Sequence, residues 1–333
     1  MPTPPLISIV IVPWNSAKHL PHCLDCLSLQ TVQDFEVILV DNGSLDGGTN
    51  DLEQKYTQLA LQIERLPSNL GFALANNRGA RIARGKWLAL LNADAYPEPN
   101  WLENILQAAQ RRPEFSFFSS RQIQENQPDL LDGSGDEYHV SGLAWRRFYN
   151  YRAGQYGFKE EEVFSACGAA ALYARDEFLS VGGFDEAYFS YFEDVDLGFR
   201  LRLIGKRCLY VPQAIVHHVG SASSGKISDF VIYHGHRNLV WTYFKDMPGA
   251  LFWWYLPLHV LMNLFFIVSF ILKGRGATIL RAKIDAFSHL PAIIHTRRQI
   301  QSCRKITYHQ LRQVMSKELF APYWASRQRR KRI

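Results

Sequence analysis

Short unbroken apolar runs, separated by polar turn residues and by segments of helical spacing, open the chain. Leu6 to Val12 (LISIVIV) and Phe35 to Val40 (FEVILV) are continuous and β-branched, the pattern of strands buried on both faces. Ala17 to Leu29, Thr49 to Leu61 and Ala73 to Arg84 predict helices, Leu61 to Leu66 a short strand and Trp87 to Leu91 (WLALL) a fourth strand. Strands alternating with helices imply right-handed crossovers and an α/β fold with a mainly parallel sheet flanked by helices. Ligands of such sheets bind at the carboxyl ends of the strands. Asn15, Asp41, Asn92 and Asp94 fall at those ends.

The pattern loosens from Gln122 to Tyr156, a stretch rich in Gly, Asp, Arg and Tyr that predicts loops and irregular strands. Val163 to Tyr173 reads as strand, Arg175 to Val181 as a short helix, and Cys208 to Val211 and Ala214 to His218 as two further strands. Between them a helix opens on an acidic motif near Glu193 and runs to about Ile204, ended by Gly205. Gly249 to Leu272 holds no formal charge and is long enough to cross a bilayer. Pro257, His259 and Asn263 interrupt it, aromatic residues crowd its first half, and both flanks are basic. Lying in or dipping into a membrane interface, crossing it, and packing as a core helix all stay open. The division expected is a domain at 6–232, with a nucleotide-binding half at 6–105 and an acceptor half at 106–232. A helical, hydrophobic and basic region follows at 233–333.

Composition, with 47% apolar and 20% charged residues over 333 positions, is that of a globular chain. Its net charge of +6 is unevenly placed. From Lys226 onward 18 Lys and Arg stand against 4 Asp and Glu, a surplus of +14, so the first 225 residues carry −8. A basic tail of this kind faces something anionic, a nucleic acid or a phospholipid surface. No nucleic-acid recognition module is recognisable, and the last basic run (RQRRKRI) lacks interleaved aromatics. Pro2, Pro4 and Pro5 lead directly into the first strand, without a signal-peptide pattern. The odd set of five cysteines shows no disulfide framework, so a reducing, cytoplasmic setting is expected. His19, His22, Cys23 and Cys26 have the look of a metal cluster, but no second ligand pair follows and small thiols pack well on a helix.

The richest chemistry lies at Tyr191 to Arg200 (YFEDVDLGFR), where Glu193, Asp194 and Asp196 are set among aromatic and aliphatic residues. Carboxylates held in an apolar setting cost free energy unless paired, metal-bound or catalytic. One reading is a general base beside a charged substrate; the other is a helix start whose first-turn acids suit its dipole. Asp41 precedes Asn42-Gly43-Ser44 and is placed either to accept hydrogen bonds from a base or ribose or to cap that turn. Asn69, Gly71 and Asn76 mark a helix start fit for a nucleotide. No phosphate-loop signature and no GxGxxG appear, which disfavours ATP hydrolysis and dinucleotide binding. Asp94 ends a buried strand, where a carboxylate can hold Mg²⁺ or Mn²⁺. One of His217 and His218, at another strand end, is placed to complete the coordination, and Arg237 to hold a diphosphate or face a membrane.

Taken in order, SIVIVPWNS, VILVDNGSLDG, NLGFALANNRGA, LALLNADAYP, GGFDEAYFSYFEDVDLGFRLRLIG and VHHVGSAS resemble the family 2 glycosyltransferases of the GT-A fold. They look most like the bacterial rhamnosyltransferase branch. The resemblance is strong from residue 6 to about 245. It implies an inverting, metal-dependent transfer of a sugar from a nucleoside-diphosphate donor, dTDP-rhamnose ahead of a UDP-hexose or UDP-N-acetylhexosamine. The hydrophobic segment and basic tail point to a lipid-linked glycan acceptor of cell-surface polysaccharide synthesis, met at the cytoplasmic face of the membrane. Asp194 would be the base with Glu193 beside it, and Asp94 with His218 would contact a divalent ion. The donor would meet Pro13, Asn15, Asp41, Asn69, Gly71, Asn76, Asn92 and Arg237. Two departures stand out: Pro13-Trp14 replaces the usual Thr-Tyr or Asn-Tyr, and Asn92 stands where many relatives have Asp. A non-catalytic membrane-bound interaction protein is the rival class, and the hydrophobic region is equally suited to a contact between copies of the chain.

Overall fold

A computed structural model describes residues 3–220 and 228–318. Residues 221–223 of VHHVGSAS and the RQRRKRI run at 327–333 lie outside the described residues. The first half builds the expected parallel sheet. Strands β1 (Ile7–Ile11), β2 (Phe35–Asp41), β3 (Leu61–Arg65) and β4 (Trp87–Leu91) run in the order β3-β2-β1-β4, with Ile9 of β1 between Val37 and Ala89. Helices α1 (Leu20–Ser28), α2 (Leu52–Lys55) and α3 (Phe72–Ile82) make the crossovers. The helix expected at 49–61 shrinks to the single turn of α2. Only Leu52, Tyr56 and Leu59 of that stretch are buried apolar residues, too few to hold a longer helix against the sheet.

The second half extends the sheet with mixed pairing. After β5 (Ala95–Pro97) and α4 (Trp101–Arg111) come β6 (Phe117–Gln124), β7 (Gln127–Gly133), β8 (Asp136–Tyr138), β9 (Ala144–Arg146) and β10 (Glu161–Val163). Then follow β11 (Ala170–Ala174), α5 (Arg175–Ser180), α6 (Glu193–Leu203) and β12 (Cys208–His218). β11 is antiparallel to both β4 and β6, whereas β12 runs parallel to β6. The strand expected at 163–173 is two, because the turn holding Gly168 divides it. The two strands expected at 208–211 and 214–218 are one, with a register shift between Val211 and Ile215.

Strict alternation sorts the sheet's side chains into two layers. Ile7, Ile9 and Ile11 pack with Leu24 and Leu27 of α1 and Trp101 and Ile105 of α4, while Val10, Ile38 and Leu90 face Ala73 and Ala80 of α3 and Leu197 of α6. The C-terminal helices are α7 (Asp229–Asp246), α8 (Gly249–Leu272), α9 (Gly276–Ser288), α10 (Leu290–Ser302) and α11 (Tyr308–Val314). α7 runs across the boundary expected at 232/233. Tyr243, Met247, Leu251 and Leu311 share one apolar core with Tyr138, Phe164 and Phe199, so these helices complete the body built on the sheet.

A charged knot joins the two regions. Lys245 of α7 is fully buried; its Nζ donates to Asp185 Oδ2 at 2.5 Å and pairs with Asp196 of α6. Asp196 accepts from Arg200 Nε and Nη2 at 2.8 and 2.6 Å and from the Tyr188 hydroxyl at 3.1 Å. Burial opposes the charge on Asp196, but Arg200 and Lys245 overcome it and draw its pKa down to about 2. Asp246, buried beside it, is pushed well above the carboxylate range by burial and then by the Asp196 charge. Breaking a buried pair strands the partner charge. Lys245→Met is therefore expected to lower unfolding stability by about 3–5 kcal/mol, read from denaturant midpoints. A midpoint equal to wild type would remove the knot from the stability argument.

Candidate active site

The loops at the carboxyl ends of β1 and β2 are sewn together by the predicted donor residues. Asn15, at φ 49°, accepts from Leu45 N at 2.8 Å, and its own amide donates to Ser44 Oγ at 3.0 Å. The Pro13 carbonyl accepts from Asn42 N at 3.0 Å. Asp41 is buried; Ser44 N donates to Oδ1 at 2.9 Å, and the Thr49 hydroxyl donates to Oδ2. Both carboxylate oxygens thus cap the turn, which the bare Asp-Asn-Gly-Ser pattern had left as one of two readings. Asn69 Oδ1 accepts from Asn42 Nδ2 and from Gly71 N, each at 3.0 Å. Gly71 sits at φ 92°, and a Cβ there would lie 2.7 Å from Phe189. This close approach binds the start of α3 to the loop that carries the acids. Asn76 bonds back to the Phe72 carbonyl at 2.9 Å within α3.

Across the sheet, Asp94 and His218 meet as expected. His218 Nε2 is 3.3 Å from Asp94 Oδ1 and 3.3 Å from Asn92 Nδ2. On its other side, His218 Nδ1 lies 2.8 Å from Asp132 Oδ2, which also accepts from Arg146 Nη1 at 2.5 Å. Burial works against a charged imidazole here, but the Asp132 and Asp94 hydrogen bonds carry His218 up to about 9. Burial would raise Asp94, yet the His218 hydrogen bond and charge hold it below its ordinary value. Asp132 and Arg146 were invisible in the sequence, since Asp132 stands 86 positions from its histidine in a stretch that reads as loop.

The fit to a divalent ion rests on this donor set. Asp94 keeps about a third of its side chain exposed, and a carboxylate fixes the far nitrogen of His218. Among the described residues no group of three or more His, Cys, Asp or Glu forms a closed cage. One carboxylate and one imidazole suit an ion that takes its remaining ligands from substrate phosphates and water. Binding requires the neutral imidazole, so the ion would displace a proton from His218.

The acid motif sits at the first turn of α6, beyond a strained run. Phe189, Tyr191 and Phe192 have φ of 65°, 69° and 70°, a region that costs a bulky residue about 1–3 kcal/mol. The loop is held from α7: Asn238 Nδ2, fully buried, approaches the carbonyls of Tyr188, Ser190 and Tyr191 at 3.1, 3.0 and 2.7 Å. Arg237, expected at a diphosphate, directs Nη2 to the Ala187 and Tyr188 carbonyls at 3.2 and 3.0 Å and lies over the Trp241 ring. Asp194 accepts from Val195 N at 2.8 Å and Gly168 N at 3.0 Å. Burial raises it above the usual aspartate value, offset in part by those amides and by Arg146. Glu193, more deeply buried, is pushed well up by burial and by Asp194. Asp196 belongs to the charged knot and not to the reactive face.

Two chains of contacts tie Asp194 to the Asp94 side. Gly168 holds Asp194 through its amide, and the adjacent Ala169 carbonyl accepts from Asn92 N at 2.9 Å. Arg146, which favours the charged form of Asp194, also grips Asp132 behind His218. One turn and one arginine thus bring a shielded carboxylate and an oxygen–imidazole pair to the carboxyl end of β4.

This is the architecture of a GT-A glycosyltransferase, and the comparisons agree. A family model described as glycosyl transferase family 2 matches residues 8–179. The N-acetylglucosaminyl-diphospho-decaprenol L-rhamnosyltransferase of Mycobacterium tuberculosis is 31% identical over 283 residues, covering 76% of this chain and 88% of its own. Among solved structures, Staphylococcus aureus TarS 1–349 in complex with UDP-GlcNAc superposes with a TM-score of 0.59 at 16% identity, covering 93% of this chain and 92% of its own. A Pyrobaculum calidifontis mannosyltransferase with GDP-Man and Mn²⁺ gives 0.55 at 16% identity, covering 90% and 88%. The chain belongs to glycosyl transferase family 2.

The pairing of Arg146 with the acids gives a direct test. Removing its charge leaves the anion of Asp194 less favoured, so Arg146→Gln is expected to move the Asp194 pKa further upward. Arg146→Lys, which keeps the charge, should move it less. Carboxyl-carbon NMR titration of aspartate-labelled protein reads both, and an unmoved Asp194 in Arg146→Gln would break the link.

Proposed function

We propose that this glycosyltransferase moves L-rhamnose from dTDP-rhamnose to a hydroxyl of a lipid-linked glycan, with inversion, during cell-surface polysaccharide synthesis. The reading is carried by one observation: Gly168 N holds Asp194, and the next carbonyl, Ala169, accepts from Asn92 N beside the Asp94–His218 pair, so one turn links the two. The rhamnosyl donor and polyprenyl-diphosphate acceptor are supported by the name of the mycobacterial relative. The cytoplasmic face of the membrane is where such an acceptor would be met.

In this reading the turn formed by Asn15, Asp41, Asn69 and Gly71 receives the nucleoside, with Pro13 shaping the base pocket. Arg237 and Asn76 act through the loop and helix they brace. Asp94 and His218 would hold Mg²⁺ or Mn²⁺, with Asn92 beside them. Bound there, the ion supplies Lewis-acid stabilisation of the diphosphate leaving group. Asp194 takes the proton of the acceptor hydroxyl while that oxygen bonds to the anomeric carbon from the face opposite the departing nucleoside diphosphate. The bond from the anomeric carbon to the diphosphate oxygen breaks with its electron pair, so one displacement inverts the centre. The raised pKa of Asp194 suits a base, and its two amide donors hold its oxygens in place.

A UDP-hexose or UDP-N-acetylhexosamine donor is the second reading, supported by the likeness to TarS with UDP-GlcNAc. Thermal shift with dTDP, UDP and GDP, each with and without Mn²⁺, separates the donors. Stabilisation of about 2.7 kcal/mol is expected at a hundredfold excess over Kd. It should require the metal with dTDP and vanish in Asp94→Ala. A response to UDP alone would favour the second reading, and no response in folded protein would sink both. Separately, Asp194→Asn is expected to keep nucleotide binding and lose ~10²–10⁴-fold in turnover. Near wild-type turnover in that variant would remove Asp194 as the base.

A further inference from the structure

The polarity of α8 is inverted. Its polar members face the protein: His259 Nδ1 lies 2.7 Å from the Ser141 carbonyl and its ring stacks on Tyr243, while Asn263 Oδ1 accepts from Lys283 Nζ at 2.5 Å. Its outward face is a stripe at helical spacing that includes Trp254 (76% exposed), Leu261, Leu264, Phe265 and Leu272. On α9, Leu280, Ile284 and Phe287 add a second exposed apolar row at spacings of four and three. A continuous face of this kind does not stay in water without a partner.

We infer that α8 and α9 dock in the plane of an anionic membrane, entering one leaflet, and that α8 does not cross it. Three observations choose this occupant. First, α8 is bound along its length: the Phe252 carbonyl accepts from Tyr243, His259 meets Ser141 at its middle, and Phe270 packs on His236 near its end. Crossing a bilayer would carry those contacts, and the buried Lys283, into hydrocarbon. Secondly, Trp253 and Trp254 at one end and Lys273 and Arg275 at the other are the side chains that settle at headgroup depth. Thirdly, exposed Lys273 and Arg281 adjoin the apolar rows in the basic part of a chain whose first 225 residues are acidic, so charge orients this face toward anionic lipid. The inference rests on the lipid-linked acceptor reading for its purpose, and on the helices alone for its geometry.

Flotation of the full chain with phosphatidylcholine vesicles, with and without phosphatidylglycerol, tests it. The wild type is expected to float with the anionic vesicles. Trp254→Glu with Phe265→Glu should lose partition by about tenfold or more at an unchanged melting temperature. Arg281→Glu should weaken binding to anionic vesicles alone. Undiminished flotation of the double variant overturns the proposal. So does a wild type that stays off the vesicles and forms a dimer split by the same substitutions. Vesicle binding without any nucleotide response would sink the donor reading and leave this one standing; nucleotide response without vesicle binding would do the reverse.

Discussion

A lysine ammonium with no exposure to water holds this molecule together at its chemical end. Lys245 would be untenable in the interior without Asp196 and Asp185, and Asp196 would be untenable without Lys245 and Arg200. The knot fixes α6 against α7, and the loop before the acids is held from α7 and, through the Ala73 N to Phe189 carbonyl bond, from α3. Asn238 and Arg237, on the same α7, hold the carbonyls of residues 187, 188, 190 and 191. The loop at 185–192, just before α6, therefore has little freedom, and it tolerates three aromatic residues at positive φ. Strain of that size survives only where the surroundings over-determine the backbone. Its effect is to set Glu193 and Asp194 at the first turn of α6.

The same constraint explains why the C-terminal helices are part of the enzyme. α7 carries Lys245 and Asn238, and α8 seals the core below it through Leu251 and Phe252. A surface built on these helices is rigidly related to Asp194, so docking of α8 and α9 would fix its height above a membrane. Under the proposed function the strain, the charge knot and the apolar face would serve one purpose, presentation of a shielded carboxylate to a lipid-linked acceptor.

Much of this was legible in the sequence where the signal is local. The continuous β-branched runs of β1 and β2 and the four-residue acid motif need only neighbours to be read. The nucleotide-side residues fell at strand ends because a parallel sheet leaves few other places for polar groups. What could not be read depends on distant partners. Asp132 and Arg146 lie in a stretch without periodicity, and their meaning comes from His218 and Asp194. Asp196 looked equivalent to Asp194 at a spacing of two, but one faces Lys245 and the other Gly168. The division at Gly168 was missed because a turn of small, buried residues has the apolar pattern of a strand.

Which of the adjacent acids carries the negative charge follows from their partners. The two carboxyl groups interact, so the proton they contend for belongs to the pair. Glu193 is almost fully buried, and its Oε2 has no hydrogen-bond partner among the described residues. Asp194 has a backbone amide on each oxygen and the guanidinium of Arg146 near enough to favour its anion. Hydrogen bonds to the charged form and a nearby cation both favour ionisation, and Glu193 has only a hydrogen bond from its own backbone to set against burial and the Asp194 charge. The anion therefore settles on Asp194 and the neutral acid on Glu193. A neutral Glu193 spares Asp194 a second negative charge at its shoulder. The order Glu-Asp at the start of α6 thus selects one anion from two carboxyl groups through a single turn and a single arginine, the anion that the proposed mechanism uses as its base.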